Sequence, residues 1–124
     1  MKNWILVSLF ILVSSIGLKA NTPPSGGEIT SFDHSPWTKL LQKNVTAKGN
    51  VNYKGFKNDL VALDKYLNNL SNTSIDVKLW SVNQQKAFWI NAYNAFTIKL
   101  ILNNYPVKSI NDIKTPWKQK FFSI

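Results

Sequence analysis

Lys86-Ala87-Phe88-Trp89-Ile90-Asn91-Ala92-Tyr93-Asn94-Ala95-Phe96-Thr97-Ile98-Lys99-Leu100-Ile101-Leu102 is the stretch that decides how the rest of the chain must fold. From Ala87 to Leu102 the only charge is Lys99, and nearly every other residue is apolar or aromatic. A helix that is apolar on all sides belongs inside a protein. Two amides, Asn91 and Asn94, sit in the middle of the run, and buried amides need hydrogen-bond partners. The stretch is therefore expected to be a long core helix with two polar handles. Just upstream, Ser81 and Gln84 have the S-x-x-Q spacing of a capping box. Downstream, Asn103-Asn104-Tyr105-Pro106 stops the helix, because the residue before proline is driven out of helical geometry. Together these signals predict a helix over about 82–103.

Working back from this helix, Leu60, Leu63, Leu67 and Leu70 line one face of an amphipathic helix over 59–70, with Asp59, Lys65, Asn68 and Asn69 outside. Residues 71–78 are a polar connection. Before them, Val45-Thr46 and Val51-Asn52-Tyr53 are strand-type residues around Ala47-Lys48-Gly49-Asn50, which predicts a small β-hairpin ended by Gly55. Ser35-Pro36-Trp37 predicts a helix start, with serine as N-cap and proline at the first helical position. Trp37, Leu40 and Leu41 then give the apolar stripe of a short helix ending near Lys43. After the long helix, Ser109 and Asp112 repeat the capping spacing, and Thr115-Pro116-Trp117 is a second helix start or a turn. The predicted fold class is α+β and predominantly helical: a short helix, a small β-hairpin, an amphipathic helix and a long buried central helix. Phe121-Phe122-Ser123-Ile124 reads as the beginning of a strand with no polar tail, so the domain is expected to be incomplete.

The first twenty residues have a different character. Lys2 is followed by thirteen apolar or small residues, Trp4–Ile16, then Gly17-Leu18-Lys19-Ala20. A basic start, a short apolar core and a small residue at the end predict a secretory signal peptide over 1–20. The core is shorter than the roughly 20 residues a spanning helix needs. Leu18 is large for its place in a cleavage site, so an uncleaved anchor is the competing reading. Export would place the chain in the periplasm or outside the cell, with no stable membrane span once the signal is removed. Residues 21–31, with Pro23-Pro24-Ser25-Gly26-Gly27, read as a flexible leader.

Setting the signal aside leaves 104 residues, one small domain. The chain has no cysteine, so it has neither disulfides nor a thiol nucleophile. Its net charge is +9, falling to +7 without Lys2 and Lys19, and every basic residue is lysine. Nucleic-acid and phosphate clamps lean on the bidentate fork of arginine, so a nucleic-acid partner is not expected. The scattered lysines suit a solvated surface, and as a second reading they suit anionic cell-envelope polymers.

The order His34-Ser35-Pro36-Trp37, Val51-Asn52-Tyr53-Lys54-Gly55-Phe56, Leu63-Asp64-Lys65-Tyr66-Leu67, Phe88-Trp89-Ile90-Asn91-Ala92-Tyr93-Asn94-Ala95 and Tyr105-Pro106-Val107-Lys108-Ser109-Ile110 resembles the bacterial domain of unknown function 547 family, from about residue 32 to the last residue. The resemblance implies an exported bacterial protein without an established activity. It also implies that a cysteine-bearing second half, of the Asn-Cys-Ala-Ser … Cys-Pro type, belongs to the family's domain and lies outside this sequence. Any thiol-dependent hydrolase- or transferase-like chemistry of intact relatives would reside there. The chain is then expected to be inactive alone, its partner being the missing half or another subunit. The other reading is a non-enzymatic, lysine-rich envelope binding module.

The candidate binding residues are Asn91, Asn94, Trp89, Tyr93, Lys54 and His34. Asn91 and Asn94 are three apart and share one side of the helix; they either orient a substrate or tie the helix to neighbouring backbone. Trp89, Tyr93, Phe96 and Leu100 form a stripe that first reads as core packing. Lys54 meets an anion or merely ends a turn. His34 is the only histidine and has no nucleophile beside it, so a role at the helix start is favoured over general-base work. No metal-ligand spacing and no glycine-rich phosphate loop is present, and no cofactor is expected.

Overall fold

The computed structural model describes residues 31–118, which form four α-helices: α1 (Ser35–Asn44), α2 (Tyr53–Asn58), α3 (Leu60–Ser71) and α4 (Val82–Asn103). Two short 3-10 turns, Ile110–Asp112 and Pro116–Lys118, follow α4. The signal peptide, nearly all of the leader and the Phe121–Ile124 strand start lie outside the described residues.

The expected α+β class is corrected by what happens between α1 and α2. No strand forms among the described residues; Val45 and Val51 make one isolated antiparallel bridge. The reason is spatial. Helix α1 runs on to Asn44 and α2 begins at Tyr53, leaving only residues 45–52 for both arms of a hairpin. Thr46 and Asn50 close a tight turn, with Gly49 at φ 81° where a side chain would be strained. Asn52, expected in a strand, is instead the N-cap of α2: its side-chain oxygen accepts from the Gly55 N–H at 3.0 Å. Tyr53 and Phe56 are thereby turned into the core as helical residues.

Gly55 does not break a strand; it lets α1 and α2 approach. A Cβ there would collide with the Asn44 side-chain oxygen and lie 2.8 Å from Asn52 Nδ2. Asn44 is buried, donates from Nδ2 to Asp59 Oδ2 at 2.9 Å, and accepts the Asn52 N–H on its carbonyl at 2.7 Å. Lys43 occupies the other Asp59 oxygen at 2.7 Å. One carboxylate thus ties the end of α1 to the α2–α3 junction.

The start of α1 is also shifted from expectation. His34, not Ser35, sits at the N-cap, and its side chain makes no capping bond. The Asp33 carboxylate takes the Ser35 N–H at 2.8 Å and the Ser35 hydroxyl at 3.1 Å. Those two bonds hold its carboxyl below the usual range, the backbone bond most strongly.

Helix α4 spans the predicted residues, and its Ser81/Gln84 capping box is formed. Ala92 and Ala95 present no bulk beyond Cβ and are fully buried, which suits close helix packing. A Lys99–Asp64 ion pair at 2.6 Å clamps α4 to α3. The expected burial holds only for the C-terminal half. Asn94, Ala95, Phe96, Ile98, Leu100, Ile101 and Leu102 are buried, but before them only Phe88 and Ala92 are. No helix among the described residues is long and apolar enough to cross a membrane.

Candidate functional site

Four of the six expected site residues, Trp89, Asn91, Tyr93 and Asn94, lie around the middle of α4. Val82, Lys86, Trp89 and Tyr93 recur at i, i+4, i+7 and i+11, so they share one face, and all four are exposed. Trp89 is 43% exposed and Tyr93 51%. The expectation that the Trp89 and Tyr93 positions are core packing is therefore corrected, although Phe96 and Leu100 of the same stripe are buried. The stripe passes from exposed at Trp89 and Tyr93 to buried at Phe96 and Leu100.

Beside this face lie the two amides. Asn91 is half-buried and Asn94 is only 8% exposed. Neither side chain makes a hydrogen bond among the described residues, so Asn94 does not tie the helix to neighbouring backbone. Asn44, similarly buried, is fully engaged with Asp59 by contrast. Among the described residues, Trp37 Nε1 is the one fully buried side-chain polar atom without a partner, so the Asn94 amide is not sealed from solvent.

His34 reaches the same end of α4 from α1. Its Nδ1 and the Tyr66 hydroxyl share a hydrogen bond of 2.8 Å. Phe32 bridges the cluster, with its ring 4.9 Å from His34, 5.8 Å from Tyr66 and 5.2 Å from Phe88. Trp37 stacks on the other side of Tyr66 at 5.5 Å. Burial lowers the His34 pKa against the opposing pull of Asp33, and burial raises that of Tyr66. A neutral imidazole sharing its proton with a phenol is a positioning contact. No serine, cysteine or carboxylate completes a nucleophile–base pair on it among the described residues. The pair escaped sequence reasoning because 32 residues separate its members.

Lys54 is not part of this arrangement. It sits exposed on the first turn of α2 and makes no ion pair among the described residues. No group of three or more His, Cys, Asp or Glu residues that could hold a metal ion occurs among the described residues.

No curated relative and no solved structure matches the chain. The family described as "Protein of unknown function, DUF547" does match, over residues 77–124. That segment takes in the whole of α4, its capping box and its exposed aromatic face, while α1 to α3 lie outside it. Through residues 77–124 the chain is related to the DUF547 family.

Proposed function

We propose that this DUF547-related protein is exported and acts as a recognition module, its binding surface being the N-terminal half of α4. The surface is completed by a partner, either further polypeptide of the same domain or a second protein. The observation that carries this reading is the aromatic face of α4, where Trp89 and Tyr93 are 43% and 51% exposed, with the Asn94 side chain beside it making no hydrogen bond among the described residues. A partner that covers Trp89 and Tyr93 would bury two large aromatic rings and hydrogen-bond the adjacent Asn94 amide. Export rests on the basic and apolar pattern of residues 1–20.

A photo-crosslinking residue placed at Tyr93 in the native host should trap one discrete product. The Asn94→Leu variant should abolish it, and the same probe at Val61, exposed on α3 away from this face, should trap nothing comparable. Equal trapping at both positions sinks the reading. Residues 1–20 fused to a reporter that matures only outside the cytoplasm should yield active reporter.

A second reading, binding of anionic envelope polymers, is favoured by how the charges are used. All five described acids are engaged locally. Asp33 takes Ser35, Asp59 takes Lys43 and Asn44, Asp64 takes Lys99, Asp76 takes the Lys78 N–H and Asp112 takes the Ser109 N–H. Lys39, Lys48, Lys54, Lys57, Lys65, Lys78, Lys86 and Lys108 have no ion pair among the described residues. Lysines outnumber acids, so the net field is positive and raises the local concentration of anions.

A further inference from the structure

Resting on the polyanion reading just given, we propose that the lysines do not act as a diffuse field. The edge formed by α2 and the segment after α4 is a discrete site for a phosphate-bearing polymer, built from Lys54, Lys57, Tyr105 and Lys108.

Three observations converge on this edge. First, the Lys57 ammonium lies 5.8 Å from the centroid of the Tyr105 ring. A cation held against an aromatic face has already lost part of its side-chain freedom, so an anion that meets it finds a positioned charge. Tyr105 is itself anchored, being partly buried against the core. Second, Lys54 is three residues before Lys57 on α2, which places the two on the same face about one turn apart. Lys108 follows Tyr105 by three residues and is exposed. Third, the acid nearest Lys54 and Lys57 in sequence, Asp59, is already paired with Lys43 and bonded to Asn44, while Asp112, four residues after Lys108, turns one oxygen to the Ser109 N–H; three lysines therefore outnumber the acids close to them in sequence.

Lysine meets phosphate as a compact point charge, with no need for the planar fork that a carboxylate pairs with bidentately. An all-lysine site on a rigid helix face therefore suits successive phosphates of a flexible polymer. An export signal would bring it to phosphodiester-linked polymers outside the cytoplasm.

Long-chain inorganic polyphosphate is the probe, with binding to the full chain followed by fluorescence anisotropy between 20 and 200 mM salt. K54Q/K57Q/K108Q should weaken binding at least tenfold and flatten the dependence of log K on log salt by about 2, at roughly 0.7 per lost contact. K39Q/K65Q/K78Q, equal in charge but placed on α1, α3 and the α3–α4 connection, should weaken it no more than twofold. Y105L, which frees Lys57 without removing charge, should weaken it about threefold; Y105F, which keeps the ring, should bind as the parent does. Equal losses in both triple variants overturn the discrete site while leaving the polyanion reading standing. Absence of binding by the parent chain overturns both. Tighter binding to phosphatidylglycerol vesicles than to polyphosphate, lost in K54Q/K57Q/K108Q, overturns the polymer assignment in favour of a membrane surface.

Discussion

From Asn94 to Leu102, helix α4 is buried around almost its whole circumference; from Val82 to Tyr93 it buries only Phe88 and Ala92. The two halves are comparably rich in apolar and aromatic residues, yet one is the centre of the core and the other carries an exposed aromatic stripe. The difference lies in what surrounds them. Helix α3 reaches the C-terminal half through the Asp64–Lys99 pair, while in the first turns Phe32, His34 and Trp80 gather on the single ring of Phe88 and leave Trp89 and Tyr93 exposed among the described residues. An apolar helix is therefore not buried by its own composition; it is buried by the number of elements that reach it.

The sharpest way to break this contrast is to truncate one side chain in each half. Ile101→Ala should lower unfolding stability by about 2–4 kcal/mol in urea titrations, because a fully buried branched chain leaves a cavity. Tyr93→Ala should change it by less than about 1 kcal/mol. Equal losses would show that the first half is packed like the second.

The two buried asparagines offer a similar contrast of slightly smaller size. Asn44→Leu should cost about 2–3 kcal/mol, since it strips Asp59 of a bond and forces a new shape against Gly55. Asn94→Leu should be neutral or stabilising by up to about 1 kcal/mol, because it removes an amide that bonds to nothing described. A clear loss at Asn94 would mean that it is a structural residue after all.

Gly55→Ala probes the α1–α2 contact. The added methyl meets Asn44 and Asn52, and a cost of about 1–3 kcal/mol is expected in thermal unfolding.

The smallest effect is on pH dependence. His34 titrates below its ordinary value of 6.5 because burial disfavours the imidazolium. Between the folded and unfolded values the unfolded chain binds more protons, so stability rises with pH there and falls as pH drops below about 6.5. Asp33 and Asp59, held low by hydrogen bonds, lose their contributions only in stronger acid, below about pH 4. His34→Gln should flatten the stability profile between pH 5 and 7 and leave the acid limb intact. A profile unchanged by this variant would remove His34 from the account.

Much of the helical frame was readable from local signals. The Ser81/Gln84 and Ser109/Asp112 boxes act within four residues, so their spacing alone locates the start of α4 and of the turn at Ile110. The leucine stripe of α3 was legible for the same reason. The segment 44–56 was misread because Val45, Val51 and Tyr53 are all good strand residues, and the deciding partners are not local pattern. Asn52 spends its side chain on capping, and Asn44 occupies the space beside Gly55. The candidate site was half legible: Asn91, Asn94, Trp89 and Tyr93 were picked out by type and spacing. That Tyr93 faces solvent, that Asn94 lacks a partner, and that His34 meets Tyr66 depend on which helices come near.

By itself the sequence determined a long capped helix, an amphipathic helix before it and a positive charge carried wholly by lysine. Each follows from composition or from spacings shorter than a few turns. Only the tertiary structure decided that residues 45–52 form a turn instead of a hairpin and that α4 is buried along one half of its length. It also decided that Lys57 rests on Tyr105. Those outcomes are set by contacts between residues distant in the chain, where close approach and competition for the same hydrogen bonds override local preference.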